Sequence, residues 1–250
     1  MKKSQLSEDP AFAPHQVEWN PQKVYNVWQH YSNNPSYREQ YFSYQAAKKI
    51  INYVRGRLNL KTMDRIVDFG CGPGHLLKEL VKYSHKGQQY IGLDFSKAAV
   101  EETKQRLTNN EAFAGAFWIE DLPSPLESES VDLIFILEVV EHLDDAELEK
   151  MNNELYRLLK PGGVVVITTP NAEKLPLNTV ICPDCGCIFH RWQHMRSWNL
   201  DSLQKCMSTA GFITYHATAT SFLFNYQWLI KFLLYFFPRF KKNLIYFGKK

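Results

Sequence analysis

The 250-residue chain is 45% hydrophobic and 14% aromatic and carries a net charge of +3. That much apolar material builds one α/β domain with decorations, or a domain plus a small module, and excludes a globally disordered chain. So small a charge does not by itself imply a nucleic-acid partner; cysteines at 71, 182, 185, 187 and 206 do not read as a disulfide framework; and the polar start Met1–Pro10 lacks the apolar core of a signal peptide, so a cytoplasmic protein is expected.

The first 20 or so residues are polar and proline-punctuated, and read as an arm. From about residue 21 to 58, Val24, Trp28 and Tyr31, then Tyr41, Tyr44, Ala47, Ile50, Ile51 and Val54, recur at helical spacing. This predicts two helices interrupted at Asn33-Asn34-Pro35. Arm and helices (1–58) would form a lid over a domain at 59–250. Strands are expected at Arg65–Phe69, Gln89–Leu93, Ala116–Ile119, Val131–Leu137 and Gly163–Thr169, alternating with helices at about 75–84, 97–108, 145–160 and 199–209. Strands of continuous Ile, Val, Leu and Phe suit a parallel sheet covered on both faces. Phe212–Thr220 and Asn243–Phe247 read as two closing strands. The fold class is therefore α/β, doubly wound, with a mostly parallel sheet.

The chemistry concentrates in Arg65-Ile-Val-Asp-Phe-Gly-Cys-Gly-Pro-Gly-His75 and in Asp94, 20 residues after Gly74. A strand runs into three glycines, and a later strand ends in an acid that can accept hydrogen bonds from ribose hydroxyls. His75 stands where a dinucleotide fingerprint wants its third glycine, which argues against a nicotinamide enzyme. Asp68 beside the loop would repel a pyrophosphate and suit a cationic ligand. Taken with Gly92-Leu-Asp-Phe-Ser96, Val131-Asp-Leu-Ile-Phe-Ile-Leu-Glu-Val-Val-Glu-His142 and Leu159-Lys-Pro-Gly-Gly163, these blocks make the chain resemble the class I S-adenosylmethionine-dependent methyltransferases over roughly residues 60–170.

The resemblance implies a Rossmann-like sheet of seven strands with an antiparallel C-terminal strand. It implies that Asp68 and the backbone of Gly70, Cys71 and Gly72 hold the methionyl part of S-adenosylmethionine, that Asp94 binds the ribose hydroxyls and that Phe95 flanks the adenine. Glu120 or Asp121, next to Leu122, would face the adenine amino group, and Glu138 can contact the same cofactor. Glu138, Glu141 and His142 could also seat a divalent cation with oxygen and nitrogen ligands. Glu-x-x-Glu-His resembles metal-binding O-methyltransferases of a ubiquinone-pathway family and of a small-RNA 2′-O-methyltransferase family. Glu141 and His142 are the catalytic expectation, with His142 as a metal-free proton acceptor or as plain packing the competing readings.

Cys182-Pro-Asp-Cys185-Gly-Cys187-Ile-Phe-His190-Arg-Trp-Gln-His194, inside an insertion at about 172–197, has the knuckle spacing of a zinc site. Zinc would take Cys182 and Cys185 with two of Cys187, His190 and His194, the histidines sharing a helix face. The alternatives are a metal-free loop that binds substrate, a redox thiol pair, or a histidine completing the Glu138/Glu141/His142 site. A second insertion, about 221–240, contains the apolar run Phe222–Phe237 followed by Arg239, Lys241 and Lys242. It reads as an interfacial membrane contact through 222–242 or as a helix roofing an apolar pocket. Either favours O-methylation of a small or lipid-like acceptor. RNA 2′-O-methylation and a non-catalytic S-adenosylmethionine-binding or zinc module are the rivals, and no Lys/Arg stripe with interleaved aromatics supports the former.

Overall fold

The computed structural model describes residues 12–222 and 241–250. In chain order the elements are β1 (His15–Gln16), α1 (Pro21–Asn33), α2 (Phe42–Arg55), β2 (Arg65–Phe69), α3 (His75–Leu80), β3 (Gln89–Asp94), α4 (Lys97–Leu107), β4 (Phe113–Trp118), β5 (Val131–Leu137), α5 (Asp145–Leu158), β6 (Leu159–Pro170), β7 (Thr179–Ile181), β8 (Cys187–His190), α6 (Leu200–Thr209), β9 (Ile213–Thr220) and β10 (Asn243–Lys249). The main sheet has seven strands in the order β4-β3-β2-β5-β6-β10-β9. Its first five strands run parallel, and β10 lies antiparallel between β6 and β9. Chain order reverses between β2 and β5, so a crevice opens at their C-terminal ends, where open α/β sheets bind ligands.

Both sheet faces are covered, as the continuous apolar strands require. On one face Ala46, Ala47, Ile50, Ile51 and Val54 of α2 share a core with Leu76, Leu77, Leu133, Phe135 and Phe247. On the other, Leu148, Met151 and Leu155 of α5 and Leu203 and Met207 of α6 pack on Val67, Ile134, Ile136 and Ile167. The first insertion is organised differently from the expected helix. It folds into a three-stranded sheet, β1-β8-β7, and His190 ends β8 instead of sharing a helix face with His194. Phe222 is buried, edge-on to Phe42 and Tyr53. The rest of the apolar run, 223–240, lies outside the described residues. Among the described residues no helix is long and apolar enough to cross a membrane.

Buried Glu154 ties α5 to the loop after β4. Glu154, 4% exposed, accepts from Ser124 N at 2.8 Å and Ser124 Oγ at 2.6 Å, and pairs with Arg157 Nε at 2.7 Å. Burial pushes its carboxyl up, but the bonds from Arg157 and Ser124 outweigh that and hold it below the ordinary range. Glu154→Ala strands these donors and should lower unfolding stability by about 3 kcal/mol, read from the urea midpoint. A loss under about 0.5 kcal/mol, the size of an exposed pair, would show the network to be dispensable.

Candidate functional site

The loop after β2 forms one wall of the crevice. Gly70 has φ +79°, and a Cβ there would lie 2.5 Å from Val139 Cγ2 in the loop after β5. Only glycine permits both the left-handed backbone and that approach. Asp94 then fixes the loop: its Oδ2 accepts from Gly72 N at 2.8 Å while Oδ1 accepts from Ser96 N at 2.8 Å. Asp68 is 2% exposed, and burial followed by the nearby Asp94 charge pushes its carboxyl up to about 8. A buried and a half-buried acid facing one loop favour a cation there. Cys71 contributes backbone only, because its thiol is buried toward Thr103 and Gly92.

Across β3 and β4, Phe95 is 48% exposed and edge-on to Phe69, an open aromatic face beside Asp94. Asp121 is occupied by Leu122 N at 2.8 Å and Lys150 Nζ at 3.3 Å. Glu120, also exposed, carries neither bond, and Leu122 is half-buried next to them. Trp118, which the sequence reading passed over, donates from Nε1 to Phe95 O at 3.1 Å and lies under Lys97.

The loop after β5 forms the opposite wall. Glu138 takes the left-handed conformation, φ 53°, uncommon for a residue with a side chain. Glu138 Oε1, Glu141 Oε1 and His142 Nδ1 are buried without hydrogen-bond partners. Unpaired buried polar atoms are costly, and three within five residues call for a physical explanation. Burial pushes Glu138 up to about 8; burial and then the Glu138 charge raise Glu141 well above the carboxylate range. Burial and the facing His194 push His142 down to about 3, leaving a neutral imidazole with a free lone pair.

The cysteine–histidine insertion closes over this wall. Met195 N donates to Glu141 O at 2.9 Å, and Arg196 Nε to Leu143 O at 2.9 Å. Glu141, His142 and His194 bring one ligand atom each within 4.8 Å of one another. A second such group is Glu173, His190 and His194. Cys182, Cys185, Cys187, His190 and His194 are therefore not gathered into one set, since both histidines turn to Glu173 and His194 also meets His142. Cys182 and Cys185 do face each other, and amides of Cys185 and Asp184 lower the Cys182 thiol below its ordinary range. Among the described residues no third ligand joins them, so the donors present make half of a tetrahedral zinc site.

Three residues to which the sequence assigned no place in the site complete the crevice. Trp28 on α1 stands edge-on to His142 at 5.1 Å between ring centroids and donates to Gln193 Oε1 at 2.6 Å. Gln193, 3% exposed, in turn reaches His142 O at 3.4 Å. Tyr41 reaches to within 4.0 Å of the Cβ position of Gly72. The N-terminal helices thus overhang both walls.

A family model described as a methyltransferase domain matches residues 37–217. A probable S-adenosylmethionine-dependent methyltransferase from Mycolicibacterium smegmatis is 29% identical over 153 residues, 59% of this chain and 51% of that one. A small RNA 2′-O-methyltransferase from Mus musculus is 30% identical over 199 residues, 73% of this chain and 45% of that one. The chain thus spans about half the length of these relatives. A Haloferax volcanii methyltransferase, solved with the Trm112 methyltransferase activator, shares the fold at a TM-score of 0.63 and 17% identity, covering 93% of this chain and 99% of that one.

The elevated Asp68 carboxyl gives the cofactor pocket a pH signature. A cationic ligand seated beside Asp68 would favour its charged form, so S-adenosylmethionine binding there is expected to displace the Asp68 proton. Calorimetric affinity should rise with pH by up to about tenfold per unit and level off near pH 8. Asp68→Asn should flatten the profile, whereas an equally steep profile in that variant would remove Asp68 from the pocket's electrostatics.

Proposed function

Given that the chain belongs to the class I S-adenosylmethionine-dependent methyltransferases, we propose that it methylates oxygen, on a hydroxyl seated by a divalent cation. The observation that carries this is the set of orphaned buried atoms Glu138 Oε1, Glu141 Oε1 and His142 Nδ1, with His194 gathered to Glu141 and His142. Carboxylates and a neutral imidazole are the donors a hard or borderline divalent metal takes. Glu138, Glu141, His142 and His194 would hold it. When bound, it lowers the pKa of an acceptor hydroxyl and orients it.

The remaining chemistry falls to the chain itself. Methyl transfer is an in-line displacement: the acceptor oxygen gains the methyl and loses its proton, and sulfur keeps the electron pair of the broken bond. Alignment and water exclusion matter most for such a step. Asp68 and Asp94 hold the cationic cofactor at one wall, with Gly70, Cys71 and Gly72 supplying backbone and Phe95, Glu120 and Leu122 bordering the adenine. The Gly70–Val139 contact fixes that wall against the acceptor wall. Trp28 and Gln193 cover His142 against solvent. A histidine held near 3 is a poor proton acceptor at neutral pH, which favours ligation over general-base action for His142.

For the acceptor we favour a small or lipid-like alcohol, on the apolar run Phe222–Phe237 and the basic Arg239, Lys241 and Lys242 after it. RNA 2′-O-methylation is the second reading. It is supported by the Mus musculus relative and by Tyr31, Tyr37 and Trp192, rings clustered near the crevice that offer stacking faces. Transfer of labelled methyl from S-adenosylmethionine to lipid alcohols and to RNA 3′ ends, each with Mn²⁺ or with EDTA, separates them. Glu141→Ala should cost on the order of 100-fold in turnover while leaving cofactor affinity within about threefold. EDTA-resistant turnover, or full activity in that variant, would contradict the proposal.

A further inference from the structure

Glu173 lies in the loop after β6, 21 residues from His194 and without a motif around it, yet it organises the histidine side of the acceptor wall. It is only 14% exposed, as befits a carboxylate held by two donors. His194 Nδ1 donates to Glu173 Oε2. Asn178 Nδ2 donates to Glu173 Oε1 at 2.9 Å, and His190 Nε2 stands 3.4 Å from the same oxygen. His190 has no freedom in this arrangement. Its Nδ1 accepts from the His194 backbone N at 3.1 Å, so its ring proton sits on Nε2, toward Glu173. The two imidazoles stack at 4.5 Å, interplanar angle 21°.

The consequence concerns His194. With Nδ1–H committed to Glu173, the nitrogen left with a lone pair is Nε2, and His194 is the residue that joins Glu141 and His142. We infer that Glu173 is a positioning residue that sets the tautomer and aim of His194 as a ligand, with Asn178 holding the carboxylate and His190 stacked on the His194 ring. This rests on the cation reading of the Glu141/His142 wall. Carboxylate–histidine pairs behind a metal recur because the outer carboxylate fixes the ring and raises its basicity. A rival use of the same atoms, a second ion on Glu173, His190 and His194, demands open carboxylate lone pairs facing the ion. Here His194 Nδ1 and Asn178 Nδ2 each donate to a Glu173 oxygen, so an ion at that carboxylate would have to compete with both.

Mn²⁺ alone is the probe, titrated into the full chain and followed by electron paramagnetic resonance, with histidine ¹⁵N correlation spectra of the metal-free protein. Wild type should bind one Mn²⁺ per chain and show His194 as the Nδ1–H tautomer. Glu173→Ala should weaken Mn²⁺ binding about 10- to 100-fold and mix the tautomers, and Glu173→Gln, which still accepts a hydrogen bond, should recover part of both. S-adenosylmethionine affinity should not change. Failure of wild type to bind Mn²⁺ overturns the cation reading and this inference with it. Equal Mn²⁺ binding by wild type and Glu173→Ala, an Nε2–H tautomer in wild type, or two ions per chain overturns the inference alone. Should Glu173→Ala not fold, the wild-type tautomer and stoichiometry still decide.

Discussion

At Gly70 the chain has no side chain, and Val139 fills the place where one would be. That close approach joins the loop after β2, flanked by Asp68 within β2 and Asp94 at the end of β3, to the loop after β5, which carries Glu138, Glu141 and His142. Both loops leave the sheet at its switch point, so their separation is set by adjacent parallel strands paired through Ile66↔Leu133 and Asp68↔Phe135. Methyl transfer needs donor and acceptor in line and close. A rigid sheet edge with two loops in van der Waals contact supplies that without any moving part.

The two walls share an electrostatic design. Each concentrates buried carboxylates whose charge is suppressed by burial and by one another: Asp68 beside Asp94, Glu138 beside Glu141. Such pairs cost stability when nothing positive faces them, and they repay it when a cation does. At the first wall the family supplies a sulfonium. At the second, the imidazoles of His142 and His194 stand beside the carboxylates, the donor set behind the proposed metal ion. The insertion is what brings His194 there, and α1 covers the result with Trp28.

Much of this was legible from residue pattern. Continuous apolar strands announced the parallel sheet, and the glycine run with Asp94 announced a nucleoside pocket. The insertion was not legible. Its strands are two to four residues long, largely exposed, and one partner is β1, some 170 positions away, so no local periodicity reports them. The pair His190 and His194 suggested a helix, but Gln193 at φ 59° turns the chain and Glu173 gathers both rings. Glu173, Gln193 and Trp28 carry meaning only through tertiary contact, which spacing cannot express. β6 begins four residues before expectation because Leu159 pairs with Val131 across a register shift spanning the glycines.

Anomalous diffraction from a crystal of the full chain grown with S-adenosylhomocysteine and Mn²⁺ tests the account most directly. It predicts one manganese peak bounded by Glu138, Glu141, His142 and His194, with the nucleoside in the adjoining crevice by Asp94. A nucleoside at Asp94 with those four side chains metal-free, or the ion on Cys182 and Cys185 instead, would contradict it.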